Sequence, residues 1–187
     1  MSKRVLLAYG TRYGSSIDIA EEIANVLKEK DVEVVPINLS EVKKSKWPSP
    51  DQYDGVIVGS GIKIGRWTSS AKNFLKINSD KFKGEEGLPL GVFVSSATAI
   101  ENQEEARQKY IEEVMEKFEL EPDVYQAFPG VLDFSEDSKV GFLSRKMLKF
   151  AAKAMIDEGT EVDTEARNDY RDWDEVREFA GKFMETI

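Results

Sequence analysis

The sequence predicts an α/β fold in which five parallel strands form one doubly wound sheet with helices on both faces. Two observations predict it. Short, almost continuous apolar runs indicate strands that are buried on both faces, and these runs alternate along the chain with segments of helical periodicity. This alternation is typical of right-handed βαβ units, for which we expect the strand order 2-1-3-4-5. The length of 187 residues favours one domain over residues 1–187.

The apolar runs define the strands in chain order. The first, VLLAY at residues 5–9, is nearly uninterrupted, and the fifth has the weakest pattern. The predicted strands cover residues 5–9, 32–37, 53–60, 90–95 and 124–132.

Helical spacing fills the segments between and after these strands. In the first helix Ile19, Ile23 and Leu27 fall on one face. Asp172 can cap the last helix, and Glu175 three residues later completes a capping box. The predicted helices cover residues 16–30, 69–78, 102–118, 142–155 and 172–184.

Composition narrows the chemistry. The chain has no cysteine and no histidine, which excludes disulfides, thiolate catalysis, the usual zinc sites and every histidine-based mechanism. An enzyme with this composition takes its chemistry most simply from an organic cofactor. The net charge of −9 argues against nucleic acid as the main partner and suits either a basic protein partner or solubility alone.

The chain start and the apolar content favour a cytoplasmic protein. Residues 1–4 run directly into the first strand without a signal-peptide pattern, and no segment approaches the length of apolar residues that a membrane helix needs. We therefore expect a cytoplasmic location.

The loop after strand 1 has the composition of a phosphate site. Hydroxyls at Thr11, Ser15 and Ser16 precede a helix whose free N–H groups favour an anion, and Gly14 permits close approach. The loop matches neither the P-loop nor the dinucleotide fingerprint. An alternative is a plain capping box of Ser15 with Asp18. The residues predicted to bind the cofactor here are Thr11, Arg12, Tyr13, Gly14, Ser15 and Ser16.

This loop resembles that of the flavodoxin superfamily, whose phosphate turn reads Ser/Thr-x-x-Gly-x-Ser/Thr. Thr11, Gly14 and Ser16 occupy its marked positions. The resemblance implies a flavodoxin-like fold and flavin mononucleotide (FMN) as the cofactor, bound without a metal.

The resemblance also assigns the loops after strands 3 and 4 to the flavin ring. It implies that the peptide of Gly65 or Gly61 responds to the redox state of N5, and that Ile62, Ile64 or Trp67 covers the ring. The alternative is a glycine-rich turn with Trp67 in the core. The flavin-binding residues implied in the first of these loops are Ser60, Gly61, Ile62, Lys63, Ile64, Gly65 and Trp67.

After strand 4 the small residues Ser95, Ser96, Ala97 and Thr98 would let the flavin edge approach the backbone. Many flavodoxins place a stacking tyrosine here, and this sequence has none. An open flavin face could then receive a substrate or be covered by a partner.

The order of motifs along the chain is similar to that of the menaquinone-dependent protoporphyrinogen IX dehydrogenases. The shared features are Thr11-Arg12-x-Gly14, Tyr53-Asp54, Gly61-Ile62-Lys63-Ile64-Gly65, an inserted segment near residues 143–155, Val162-Asp163-Thr164 and Tyr170-x-Asp172-Trp173. The resemblance implies an oxidoreductase whose flavin carries the chemistry and passes electrons to a quinone or a protein acceptor. The alternatives are a flavodoxin-type electron carrier and a non-redox anion-binding module.

The inserted segment, residues 139–155, predicts a basic amphipathic helix. It contains five basic residues and no acid: Lys139, Arg145, Lys146, Lys149 and Lys153. On a helical wheel the last four share one side, and the other side carries Leu143, Met147, Phe150, Ala151 and Ala154. If Leu143 and Phe150 face the core, apolar burial adds little to membrane binding. Such a helix suits an anionic membrane face or a propionate-bearing porphyrinogen substrate. A packed helix with a solvated basic face is the alternative.

Overall fold

Five strands run parallel in one sheet, in the order β2-β1-β3-β4-β5. The computed structural model describes residues 2–84, 86–136, 138 and 142–187. The strands are β1 (Arg4–Gly10), β2 (Glu33–Asn38), β3 (Gly55–Gly61), β4 (Leu90–Ser96) and β5 (Val124–Pro129). The predicted strand order is confirmed, and the burial of every residue of β3 and β4 explains their unbroken apolar runs.

Helices cover both faces of this sheet. They are α1 (Ser15–Glu29), α2 (Ser69–Asn78), α3 (Thr98–Glu101), α4 (Gln103–Arg107), α5 (Glu113–Glu116), α6 (Phe142–Asp157) and α7 (Trp173–Met184). Residues of α1 and α7 pack in one core with Val5 and Leu7, and residues of α2 and α5 pack in the other with Leu6 and Ala8. Alternate residues of β1 thus serve the two faces. No helix among the described residues is long and apolar enough to cross a membrane.

The helix predicted over residues 102–118 is interrupted. Asn102 caps it as a helix start, accepting a hydrogen bond from the Glu105 N–H at 3.0 Å, but a π-helical turn (Gln108–Glu112) separates α4 from α5. Within that turn the carbonyl of Tyr110 accepts the indole N–H of Trp67 at 2.6 Å. A side chain that enters the hydrogen-bond ladder of a helix is a recognised cause of such irregularity.

The prediction of one fifth strand through Leu132 is wrong at its end. The parallel strand ends at Pro129, which has no N–H to continue a ladder. After Gly130 the chain forms β6 (Val131–Asp133), which pairs antiparallel with β7 (Arg167–Asp169) in a separate two-stranded sheet.

The inserted segment packs on β6 through its own small core. Its buried members are Leu132, Phe134, Ala152 and Met155.

The apolar side of the helical wheel is not the packed side of the inserted helix α6. Phe150 is 81% exposed, Ala151 and Ala154 are exposed too, and Ala152 and Met155 point inward instead. This helix has two apolar stripes, and the contact with β6 determines which of them packs inward. The basic residues Lys146, Lys149 and Lys153 are exposed. Lys139 lies outside the described residues, as do the side chains of Leu143, Arg145 and Met147.

The last helix begins as predicted at Asp172. Its carboxylate accepts the N–H groups of Asp174 and Glu175 at 2.8 and 3.3 Å. The Glu175 carboxylate accepts a hydrogen bond from the Gln103 amide at 2.6 Å. The cap therefore ties α7 to α4 as well.

Candidate functional site

Helix α1 begins without a side-chain cap. The Ile17 N–H donates to the Gly14 carbonyl at 2.8 Å, whereas the N–H groups of Ser15 and Ser16 precede the hydrogen-bond ladder of the helix. The N-cap position is Gly14, with φ 105°, and no described side chain caps it. The Thr11 hydroxyl accepts the Gly14 N–H at 3.1 Å and so holds the turn. The capping box of Ser15 with Asp18 is not formed, because Asp18 pairs with Arg171 at 2.6 Å. The helix start therefore has the free donors and the positive dipole end that an anion needs.

The buried hydroxyl of Ser16 is the second feature of this cradle. Ser16 is 1% exposed, and its Oγ has no hydrogen-bond partner among the described residues. An unsatisfied buried hydroxyl costs about 1–3 kcal/mol. A β-carbon at Gly61 would lie 3.0 Å from that Oγ, so glycine leaves the space beside it open. A phosphate oxygen would satisfy the hydroxyl, and the residues present therefore fit a phosphate group.

A cavity of about 510 Å³ extends from this cradle over the carboxyl ends of the strands. This volume is typical of small-molecule and cofactor sites. Predicted site residues that line it are Arg12, Tyr13, Gly14, Ser15, Ser16, Gly61, Ile62, Lys63, Ile64, Ser95, Ser96 and Ala97. Three separate loops thus meet where the doubly wound topology predicts a ligand.

Two hydrogen-bonded hydroxyls connect these loops. Ser15 Oγ and Ser95 Oγ lie 3.2 Å apart, within hydrogen-bond distance, so the phosphate loop touches the end of β4. The Arg12 guanidinium donates to the Trp67 carbonyl at 3.2 Å. The Lys63 ammonium lies 4.9 Å from the centre of the Tyr13 ring. The walls of the cavity are therefore fastened to one another.

The loop after β3 turns back at two consecutive residues with positive φ. Ile64 has φ 49° and Gly65 has φ 66°, between a Lys63–Arg66 pair whose backbone hydrogen bonds measure 3.0 and 3.1 Å. Glycine accepts this conformation freely, but a β-branched residue is strained in it. Ile64 nevertheless occupies it, 70% exposed and lining the cavity. The strain holds an apolar side chain at the edge of the site.

Five predicted site residues do not line the cavity: Thr11, Ser60, Gly65, Trp67 and Thr98. Trp67 is 5% exposed and lies in the core, where the Tyr110 carbonyl accepts its indole N–H. The assignment of Trp67 to the flavin ring is therefore corrected. Ser60 accepts the Thr68 N–H at 2.9 Å, and Thr98 lies 3.0 Å from the Tyr110 hydroxyl, so both support the loops from behind.

The sequence reasoning missed one whole wall of the cavity. We call it the insert wall, and it consists of Gly130, Val131, Leu132, Asp133, Ser138, Leu148, Ala151 and Arg167. Asp18 of α1 also lines the cavity. The residues that directly follow β5, at 130–133, could have been predicted to line the site, because ligands bind beyond the carboxyl ends of parallel strands. Arg167 comes from a distant segment, and nothing in the sequence indicates that it lines the cavity.

Arg171 fastens the insert wall to α1. Its side chain is 3% exposed. It donates to Asp18 at 2.6 Å and to the Ser15 carbonyl at 3.4 Å, and binds both carboxylate oxygens of Asp169 at 2.8 and 2.5 Å. Its guanidinium also lies 4.6 Å from the centre of the Trp173 ring.

The contacts of the buried Arg171 side chain shift two pKa values. The hydrogen bond from Arg171 holds the pKa of Asp169 below its ordinary value. Burial alone would lower the pKa of Arg171, but its bonds to Asp169 and Asp18 outweigh burial and raise it. Both side chains therefore stay charged at neutral pH, and β7 is held beside the phosphate cradle.

Comparisons with known proteins agree with this arrangement. Protoporphyrinogen IX dehydrogenase (quinone) of Escherichia coli K12 is 24% identical over 179 residues, which cover 95% of this chain and 92% of that protein. Flavodoxin 1 of Bacillus cereus superposes with a TM-score of 0.56 at 14% identity, covering 98% of this chain and 99% of that one. A Streptococcus pneumoniae TIGR4 flavodoxin gives 0.53 at 13% identity, with coverages of 98% and 99%. The model of the flavodoxin domain family matches residues 6–163, and the chain therefore belongs to this family.

Proposed function

We propose that the chain binds FMN in this cavity, with the phosphate at the start of α1. The uncapped first turn and the unsatisfied hydroxyl of Ser16 support this proposal. The phosphate would be held by those N–H groups with the hydroxyls of Ser15 and Ser16, while Thr11 keeps the turn in shape. The residues at 61–64 and 95–97 would flank the ring. Bound FMN would supply the chemistry of hydride and one-electron transfer, and the side chains of the site would hold the cofactor in position.

We further propose an oxidoreductase of the protoporphyrinogen dehydrogenase type, which passes electrons to a quinone or a protein acceptor. The observation that carries this proposal is the insert wall, because it extends the cavity beyond the loops that a phosphate and a flavin ring need. Its apolar members Val131, Leu132 and Leu148 suit a large apolar substrate. The 24% identity over nearly the whole chain to an enzyme of that name adds support.

Turnover of protoporphyrinogen distinguishes this activity from electron carriage alone. The FMN-loaded protein is mixed anaerobically with protoporphyrinogen IX and a quinone, and porphyrin formation is followed by fluorescence. We expect formation that requires both protein and quinone and that saturates with substrate. A protein that holds FMN, exchanges electrons with a reductase and leaves protoporphyrinogen unchanged would be a flavodoxin-type carrier.

We propose a cytoplasmic location with a peripheral contact to an anionic membrane. The exposed face of α6 supports this contact. Phe150 is 81% exposed on the same helix as the exposed Lys146, Lys149 and Lys153. Helices that lie in the head-group region combine a basic face with an exposed apolar face that carries residues such as Phe. A membrane contact would bring the site to a quinone pool.

A further inference from the structure

The insert wall is mostly apolar, and Arg167 is its one cationic residue among those described. The other described cations that line the cavity are Arg12 and Lys63. Both belong to loops that flank the proposed cofactor site, and each already contacts its own loop partner, the Trp67 carbonyl and the Tyr13 ring. Arg167 therefore supplies the positive charge at the far part of the cavity.

The guanidinium of Arg167 is weakly paired in the described structure. Its Nη1 lies 3.5 Å from Asp169 Oδ2, which is longer than a good hydrogen bond. Both oxygens of that carboxylate are bound more tightly by Arg171, at 2.8 and 2.5 Å. The Arg167 side chain is also 50% exposed. Its planar set of N–H donors is thus accessible to a carboxylate from the cavity, with little desolvation required.

The position of Arg167 is fixed relative to the cofactor cradle. The backbone of β7 pairs with β6, so that Arg167 lies opposite Asp133. The neighbouring Arg171 joins the same strand end to Asp18 on α1. A ligand that Arg167 holds would therefore lie at a constant distance from the phosphate site.

We propose that Arg167 binds a carboxylate of the electron donor, and so selects donors that carry a carboxylate on an apolar frame. The inference rests on the proposed dehydrogenase function. The apolar wall would receive the frame, and a bidentate Arg–carboxylate pair would fix its orientation. Neutral apolar compounds of the same shape would bind more weakly.

The test is a thermodynamic cycle that combines substitution of Arg167 with esterification of the carboxylates of the ligand. Binding of protoporphyrin IX, the dicarboxylate product, and of its dimethyl ester to the FMN-loaded protein is measured by flavin fluorescence. Wild type is compared with Arg167→Gln, Arg167→Lys and the control Arg177→Gln. Arg177 is matched in exposure, at 49%, and is ion-paired on α7 outside the cavity lining. FMN content and thermal unfolding are measured for each variant.

We expect Arg167→Gln to weaken the acid about tenfold and the ester hardly at all. Arg167→Lys should lose less, and Arg177→Gln should match wild type. Equal losses for acid and ester, or no loss for either, would overturn the role of Arg167. If FMN is bound and neither porphyrin binds wild type, the proposed substrate class fails, and this inference fails with it.

Discussion

Arg171 and Asp18 are 153 positions apart in the sequence, yet their side chains form a 2.6 Å ion pair in the first turn of α1. The same guanidinium holds both oxygens of Asp169 at the end of β7. One buried side chain thus couples the cofactor cradle to the insert wall. Strand β7, which carries Arg167, is therefore held in a fixed position beside α1.

Replacing Arg171 tests this coupling. Arg171→Met leaves two partly exposed carboxylates without their partner, and we expect it to lower the free energy of unfolding by about 1.5–3 kcal/mol. Arg177→Met is the matched control, because Arg177 also joins α7 to α1, through Glu22 at 2.7 Å, but is half exposed. An exposed pair of this kind contributes about 1 kcal/mol or less. Denaturant unfolding of both variants measures the difference, and equal losses would contradict the coupling.

The pKa of Asp169 predicts how this cluster responds to acid. Its pKa is lower folded than unfolded, because Arg171 donates to its carboxylate. The stabilisation is therefore complete above the unfolded pKa of about 3.9. It is lost as pH falls through the folded value.

Unfolding measured from pH 6 down to pH 2.5 tests the response. Wild type should lose more stability below about pH 4 than Asp169→Asn, whose amide cannot titrate. Parallel curves for the two proteins across that range would rule out the Asp169 contribution.

Strain at Ile64 predicts opposite effects on stability and on binding. Asparagine tolerates the left-handed conformation better than a β-branched residue. Ile64→Asn should therefore raise the stability of the FMN-free protein by about 0.5–1 kcal/mol. It should also weaken FMN binding by removing an apolar contact at the cavity edge. A variant with lower stability and unchanged affinity would show that Ile64 has no such role.

Gly65 has positive φ and does not line the cavity. A β-carbon there would lie 4.0 Å from the nearest Tyr110 atom, so Gly65→Ala acts through backbone conformation. We expect shifted midpoint potentials of the bound flavin with nearly unchanged oxidised FMN affinity, measured by anaerobic redox titration. Unchanged potentials would mean that the peptide of Gly65 does not respond to the redox state of the flavin, and Gly61 would then be tested for this role.

The exposed face of α6 predicts reversible binding to anionic vesicles. Each lysine near such a surface contributes about 1 kcal/mol. Changing Lys146, Lys149 and Lys153 to glutamine should reduce co-sedimentation strongly at low salt, with folding and FMN content intact. The control changes an equally exposed trio in the β2–β3 connection, Lys43, Lys44 and Lys46. If both triple variants sediment like wild type, α6 is a solvated structural helix.

The parts of the fold that local pattern decides could be predicted from the sequence. Helix α2 with its Thr68 cap and the buried strands follow from periodicity and capping alone. Trp67 could not be placed, because its indole binds a carbonyl 43 residues away. The exposure of Phe150 depends on which apolar stripe of α6 meets β6.

The candidate site likewise contains residues that could be predicted from the sequence and residues that could not. The phosphate loop is one continuous segment with a readable composition, whereas Arg167 and Arg171 reach the site only through the pairing of β7 with β6.

The affinity of Ser16→Ala for FMN tests the central claim most directly. The Ser16 hydroxyl is buried without a described partner, so removing it should leave the FMN-free protein at least as stable as before. A hydrogen bond to phosphate is worth about 1.5–3 kcal/mol, so the dissociation constant should rise about 10- to 150-fold. The control is Ser60→Ala, whose hydroxyl accepts the Thr68 N–H at 2.9 Å, and which should lose stability with much less effect on affinity. An unchanged dissociation constant for Ser16→Ala, with a loss of about 1 kcal/mol in stability, would show that Ser16 serves the helix start and not FMN.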